Sequence, residues 1–283
     1  MSRTNAVGSS PTEMGTEASG QKASLNGAVE SPSLSASAGP DRPAYELKFL
    51  LTEQQAREVE KRARERLAYD PHADASRGNS YLITSLYCDT AQLEVFHRLG
   101  SFKRRKHRVR RYGNAASVFL ERKIKWGERV KKLRTMVPDS DVALLANPMS
   151  ATTWAGHWFH RHIVRRQLQP VCRIAYERVA LVGSSEEGPM RLTFDRRIRG
   201  VLANDWVLDE VDDGMPVLAD NVVCEFKYRS FLPPLFKEII QAMRMTPSPV
   251  SKYRAFLRAS PLDLLEAPAN RAGKSGSGRA LDA

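Results

Sequence analysis

The sequence predicts an α+β fold: an antiparallel, closed β-tunnel of about eight strands, with a charged lumen and helices packed outside. The first observation is a repeated alternation in five segments: Glu46-x-Lys48, Arg108-x-Arg110, Glu121-x-Lys123-x-Lys125, Arg191-x-Thr193-x-Asp195 and Glu225-x-Lys227-x-Arg229. Residues i and i+2 of a strand share a face, so each segment gathers its charges on one side and turns apolar residues to the other. The second is the choice of residue. An open, solvated face tolerates Ser, Thr, Asn and Gln, whereas these positions hold long cations with carboxylates between them. The third is a supply of cover, such as the stretch after Pro233-Pro234 that puts Leu235, Phe236, Ile239, Ile240 and Met243 on one helical face. For one strand alone, apolar face inward and charges to water is the simpler reading. Five together favour a barrel turned inside out.

The elements follow in order. A strand at 45–50 leads into Thr52-Glu53-Gln54-Gln55, which has the form of a capping box opening a helix to about Tyr69. Pro71 and the Gly78-Asn79 turn separate it from a strand at 81–88. A charged turn region runs through Ser101, and a hairpin-like series follows at 105–112, 117–125 and 129–137, closed by Pro138. Helical stretches at 141–147 and 154–168 precede strands near 171–182, 190–196, 205–209 and 221–229. The amphipathic helix after Pro233 and a last short helix near Ser251 complete the domain, expected at 43–259. Residues 1–42 and 260–283 are rich in Ser, Ala and Gly with scarcely an aliphatic run, and are expected to be disordered tails. Gly273-Lys274-Ser275 resembles the end of a phosphate-binding loop but has neither the upstream glycine nor a preceding strand, and is set aside.

Composition limits the function. No run reaches the eighteen or so apolar residues of a membrane span, and residues 1–40 lack the features of a secretory or mitochondrial leader, so a cytoplasmic protein is expected. The three cysteines, Cys88, Cys172 and Cys224, are odd in number and far apart, which fits a reducing compartment without disulfides. The net charge is +12, and the stretch from Arg98 to Arg134 holds fifteen Lys/Arg against two Glu. An anionic partner follows.

Moving one ion into a dry interior costs on the order of tens of kcal/mol by idealised solvation arguments, so about ten cations cannot line a dry core. The lumen must hold water or a polyanion. Phosphate suits it, because Arg binds phosphate oxygens bidentately and Lys acts as a mobile point charge. The carboxylates then fit a hard divalent cation bridging them to phosphate.

At these residues the sequence resembles the VTC domain, the polyphosphate polymerase domain of the vacuolar transporter chaperone complex, within the triphosphate tunnel metalloenzyme (CYTH-like) superfamily. The landmarks include Tyr45-Glu46-Leu47-Lys48, Ser85-Leu86-Tyr87-Cys88-Asp89-Thr90, Arg108-Val109-Arg110-Arg111-Tyr112, Leu120-Glu121-Arg122-Lys123 and Tyr176-Glu177-Arg178. Downstream come Arg191-Leu192-Thr193-Phe194-Asp195, Glu225-Phe226-Lys227 and Ser251-Lys252-Tyr253. Each motif is short, and their order over 45–256 is what is specific. The resemblance implies transfer of the terminal phosphoryl group of ATP to a growing inorganic polyphosphate chain, with Mn²⁺ or Mg²⁺. It assigns phosphate contacts to Lys48, Arg108, Arg110, Lys123, Lys131, Arg178, Arg191 and Lys252. Glu225 matches the metal-binding carboxylate, with Glu46 and Glu121 as further lumen acids; Tyr176 resembles an aromatic near the nucleotide base, with Lys227 and Ser251 beside the ligand. Cys88 and Arg111 depart from the family's aromatics. The accompanying SPX domain and membrane segments are not in this sequence, so a stand-alone enzyme of the bacterial type is expected.

Two other readings share these residues: a tunnel hydrolase that cleaves inorganic or nucleoside triphosphate, and a non-catalytic polyphosphate-binding module. The latter would have lost tunnel cations or the metal carboxylate, and both are present. Nucleic acid is not an expected partner, because no stacking aromatics interleave Lys103-Arg104-Arg105-Lys106. His157, His160 and His162 lack a carboxylate or Cys to complete a metal set and are read as solvated histidines.

Overall fold

The computed structural model describes residues 44–260 except 127, 128, 148 and 150–152. Apart from Ser260, the tails expected at 1–42 and 260–283 lie outside the described residues, as does Gly273-Lys274-Ser275. The chain opens with β1 (Tyr45–Leu51) and α1 (Glu53–Arg64), followed by the short β2 (Ala68–Tyr69) and the long β3 (Ser80–Asp89). A one-turn α2 (Glu94–His97) leads to β4 (Arg105–Tyr112), β5 (Ser117–Trp126) and β6 (Arg129–Pro138). Then come α3 (His157–Arg166), β7 (Gln169–Ser185), β8 (Gly188–Leu202), β9 (Met215–Pro216) and β10 (Val222–Tyr228). Two helices, α4 (Pro234–Ala242) and α5 (Lys252–Ala259), end it.

Thr52 caps α1 as anticipated: its hydroxyl accepts from the Gln55 N–H while the Gln55 side chain accepts from the Thr52 N–H. The helix is shorter than predicted, ending at Arg64, because Leu67 leaves the helix to pack into the core and Ala68–Tyr69 pair with β7. Residues 141–147, expected as α-helix, form a 3-10 turn.

One antiparallel sheet holds every strand, in the order β1-β10-β8-β7-β3-β4-β5-β6, with β2 added to β7 and β9 to β8. The sheet curls strongly, since Lys123 of β5 reaches Glu46 of β1 at 2.6 Å although the two strands lie first and seventh in the order. No ladder joins β1 to β6 among the described residues, so the curl is spanned by side chains rather than closed by backbone hydrogen bonds.

The convex side is apolar and covered. Ala56, Val59 and Ala63 of α1 and Leu235, Phe236 and Ile239 of α4 pack with Phe49, Leu192, Phe194, Cys224 and Phe226 of the strands. Phe159 and Ile163 of α3 join a second cluster with Val109 and Leu120. On the concave side α5 fills one end. A β-bulge between Ala175 and Glu177 puts three steps of β8 against two of β7, with Arg197 at φ 47. It lets Gly200 meet the same helix that Asp195 meets: a Cβ on Gly200 would lie 2.4 Å from the Phe256 ring, and Lys252 reaches Asp195. Only glycine permits that approach.

Two expectations need correction. Residues 205–209 form no strand; the Leu208 carbonyl accepts from Arg111 and the Val207 carbonyl from Arg173, so side-chain guanidinium groups replace the ladder. His160 is not solvated but fully buried, its Nε2 2.8 Å from the Asn147 carbonyl oxygen. All three cysteines are free and buried. Among the described residues no helix is long and apolar enough to cross a membrane.

Candidate functional site

Antiparallel register stacks the charged positions across neighbouring strands. Lys48 stands opposite Glu225 and Glu46 opposite Lys227, while β8 sets Thr193 beside Glu225 and Arg191 beside Lys227. On the other flank Arg108 faces Glu121, Glu121 faces Arg134, and Lys123 lies between Lys106 and Lys132. The result is one concave surface with eleven Lys/Arg: Lys48, Lys106, Arg108, Arg110, Lys123, Lys132, Arg134, Arg178, Arg191, Lys227 and Lys252. Five carboxylates accompany them: Glu46, Asp70, Glu121, Asp195 and Glu225. The Lys48, Lys123, Lys132 and Lys227 side chains keep 24–31 % exposure, so water reaches this face and it is no dry core.

Three carboxylates are hubs. Glu121, 1 % exposed, takes the Arg108 Nε at 2.6 Å, the Lys132 Nζ at 2.6 Å and the Arg134 Nε at 3.1 Å. Burial alone would raise its pKa, but Arg108, with Lys132, Arg110 and Arg134, holds it well below the usual carboxylate range. Asp195 is fully buried and receives Arg178 bidentately at 2.6 and 2.8 Å, with the Lys252 Nζ at 2.5 Å. Against the same burial cost, Arg178 and Lys252 keep Asp195 ionised. Glu225 differs, for Lys227 and Lys48 approach only to 3.5 and 3.8 Å. Lys227, Lys48 and Lys123 still outweigh burial and hold its carboxyl well below the usual range.

The cations outnumber the carboxylates, and burial lowers the pKa of several of the lysines. Burial, then repulsion from Lys48, Lys123, Arg108 and Arg98, pushes Lys106 down to about 7. Lys132 falls to about 8 through burial, although Glu121 opposes it, and Lys252 to about 8 through burial against Asp195. Among the shifted lysines Lys48 is the exception, raised by Glu225, and Arg108, Arg110 and Arg178 are raised as well. Tyr112 is lowered to about 6: burial would raise it, but Arg110 and Arg134 favour its phenolate. A bound polyanion would relieve all of these lysines.

The structure brings Lys48, Arg108, Arg110, Lys123, Arg178, Arg191, Lys227, Lys252, Glu46, Glu121 and Glu225 together on this face. Arg110 donates to the Ser85 Oγ at 3.1 Å and to the Tyr176 hydroxyl at 2.9 Å, and Lys252 sits 4.5 Å from the Tyr176 ring centre, so Tyr176 is part of the site wall. Arg191 pairs with Asp70 at 2.7 Å and donates to the Tyr81 hydroxyl. Ser251 accepts from Lys106 at 2.8 Å. Lys131 is not brought here: it pairs with Ile124, is exposed, and lies on the opposite face of β6. Lys132 and Arg134 occupy the concave positions instead. The family motifs assign a role to neither of these, nor to Lys106, Asp70, Tyr112, Thr193 or Asp195. Lys132-x-Arg134 carries the same alternating signal as the five segments, but which of Lys131 and Lys132 turns to the concave face is decided by the β5–β6 register.

Among the described residues no group of three or more His, Cys, Asp or Glu is placed to hold a metal by protein ligands alone. A hard cation bound through one or two carboxylates, with the rest of its shell from water and phosphate, is a different demand. Glu225 meets it: its contacts are long, and across the ladder the Thr193 hydroxyl is buried with no hydrogen-bond partner among the described residues. Glu46 is next in reach, through their shared neighbour Lys227. Glu121 does not, because three cations engage its two oxygens.

The sequence matches the profile of the VTC domain over residues 43–259. No curated protein matched. Among solved structures, a candidate adenylate cyclase from Bacillus halodurans aligns with a TM-score of 0.48 and 13 % identity, covering 75 % of this chain and 95 % of that one. A candidate adenylyl cyclase from Hippeastrum with a dominant triphosphatase activity aligns at 0.43 and 14 %, covering 78 % and 99 %. A Pyrococcus horikoshii protein aligns at 0.42 and 11 %, covering 75 % and 99 %.

Proposed function

The chain belongs to the VTC domain family, and from that premise we propose that its curled sheet forms a closed channel in which ATP transfers its terminal phosphoryl group to a growing inorganic polyphosphate chain. The observation that carries this reading is the excess of eleven cations over five carboxylates on one water-reachable face, where burial also lowers the pKa of Lys106, Lys132 and Lys252. A linear phosphate polymer supplies that charge. It presents the same oxygens at every repeat, so a channel that binds by charge lets it slide by one unit per turnover.

The chemistry needs alignment and charge neutralisation more than a protein nucleophile. A terminal oxygen of the polyphosphate attacks the γ-phosphorus, the bond from that phosphorus to the β–γ bridging oxygen breaks, and ADP leaves with the electron pair. Arg108 and Arg110, adjacent on one face of β4, clamp non-bridging oxygens. Arg178 and Lys252 do the same from β7 and α5, with Asp195 holding both in place. Lys48, Lys123 and Lys227 supply mobile charge near Glu225. A divalent cation, Mn²⁺ or Mg²⁺, held by Glu225 with help from Glu46 and Thr193, would neutralise phosphate charge there. Glu121 acts as a brace for Arg108, Lys132 and Arg134. The Tyr176 ring forms the wall at Arg110 and Lys252.

Incubation of the purified protein with ATP and Mn²⁺ or Mg²⁺, followed by assay of ADP, free phosphate and polymer, tests the reading. ADP with polymer supports it; free phosphate without polymer makes the protein a hydrolase; no turnover makes it a binding module. Arg108→Ala combined with Arg110→Ala should weaken tripolyphosphate binding by several kcal/mol, at about 1.5–3 kcal/mol per charged hydrogen bond. Calorimetric titration returning wild-type affinity would remove these arginines from the site.

A further inference from the structure

Outside the concave face, Phe96, His97, Arg98, Arg254 and Arg258 line a cleft of about 400 Å³. None of the three arginines has an ion-pair partner among the described residues. Three guanidinium groups without a carboxylate make a site for an anion and repel a metal. Arg254 and Arg258 are one helical step of i to i+4 apart on α5, so their Cα atoms are separated by about 6 Å along the axis. With Arg98 across the cleft this is an extended track, suited to several linked phosphates more than to one.

The walls are tied to each other through one side chain. Asp89 accepts from the N–H groups of Val95 and Phe96, at the start of α2, and from the Tyr253 hydroxyl of α5 at 2.6 Å. That carboxylate ties α2, whose C-cap is Arg98, to α5, which carries Arg254 and Arg258. The cleft also borders the concave face. Ser251, the N-cap of α5, and Lys252 at its start reach Lys106 and Asp195 within it, and Arg98 is close enough to add to the repulsion on Lys106.

We propose that this cleft is a second, exterior anion subsite, which holds the segment of a linear polyphosphate lying beyond the Lys106 end of the channel. The assignment rests on the channel reading above. A chain long enough to occupy both sites binds bivalently, so the cleft raises affinity for long polymers through effective concentration while leaving short ones unaffected. It favours retention of the product as it lengthens.

The test compares the full chain with its triple variant Arg98→Gln, Arg254→Gln, Arg258→Gln in titrations with tripolyphosphate and with long-chain polyphosphate. The variant should lose about tenfold or more in affinity for the long chain, and keep its wild-type affinity for tripolyphosphate, which also reports an intact channel. Unchanged long-chain affinity in the variant overturns the exterior subsite and leaves the channel standing. Equal loss for both ligands overturns it too, since the arginines would then be acting on the channel or the fold. Failure of the wild-type protein to bind either ligand sinks the channel reading, and this inference with it.

Discussion

Glu121 and Glu225 are both glutamates in the middle of a strand, both buried, both facing the same curled surface, yet their surroundings differ. Three cations close on Glu121 at 2.6 to 3.1 Å, whereas those around Glu225 stop at 3.5 and 3.8 Å beside an unpartnered Thr193 hydroxyl. The first carboxylate has a cation on each oxygen, Arg108 on Oε2 and Lys132 with Arg134 on Oε1, and acts as a brace. The second keeps lone pairs for something the protein does not itself provide. Burial and charge alone do not separate the two; the distances do.

The largest effect that could break this comparison is on stability. Glu121→Gln leaves Arg108, Lys132 and Arg134 facing one another without a carboxylate, and should cost about 3–5 kcal/mol in denaturant unfolding, the range for breaking a buried pair. Glu225→Gln should cost less, since Lys48 and Lys227 keep contact with water, while abolishing metal-dependent turnover. Equal losses of stability would show that both glutamates are braces.

A middle-sized effect concerns pH. Lys132 titrates near 8, because burial and its neighbouring arginines outweigh a carboxylate it has to share, whereas Glu225 raises Lys48. Anions bind the protonated lysine, so binding lifts its pKa, takes up a proton, and weakens as pH rises from about 7 to 9. Lys132→Met should therefore flatten the pH dependence of tripolyphosphate affinity, and Lys48→Met should lower affinity without changing the slope. Calorimetry in buffers of different ionisation enthalpy reads the proton uptake, and identical slopes in the two variants would erase the distinction.

The smallest effect sharpens the Glu225 side. Thr193→Val keeps the shape and removes the orphaned hydroxyl, so affinity for Mn²⁺ in the presence of tripolyphosphate should fall severalfold, about 1 kcal/mol, with unfolding unchanged. Undiminished metal affinity would leave that hydroxyl without a ligand to serve.

A separate titration belongs to the convex side of β4. His107 is 2 % exposed with neither ring nitrogen bonded, and burial, with His162 and Arg122 nearby, pushes its pKa down to about 3. A depressed folded pKa means that stability is complete above the unfolded value near 6.5 and declines as pH falls toward 3. His107→Phe should remove part of that acid-side decline, measured as the unfolding midpoint between pH 7 and 4.

Period-two alternation was enough to place Glu46, Lys48, Arg108, Arg110, Glu121, Lys123, Arg191, Glu225 and Lys227 on a common face, because a strand offers only two sides. It could not choose between Lys131 and Lys132. The two are adjacent, so the choice depends on the β5–β6 register, which pairs Ile124 with Lys131 and Lys123 with Lys132. Contacts between distant segments were equally hidden: Asp195 meeting Lys252 and Arg191 meeting Asp70 need the folded chain, and no local pattern announces them. The strand expected at 205–209 does not form because Arg111 and Arg173 take the Leu208 and Val207 carbonyls, and no local pattern announces those contacts.

Gly200 touches no charge, but the seat of α5 depends on its missing side chain. A methyl group there would displace the Phe256 ring and push the helix outward, drawing Lys252 from Asp195 and Ser251 from Lys106. Damage at a hydrogen atom would thus be felt as a disturbed concave face at the far end of a lever, with every one of its charged residues still in the sequence.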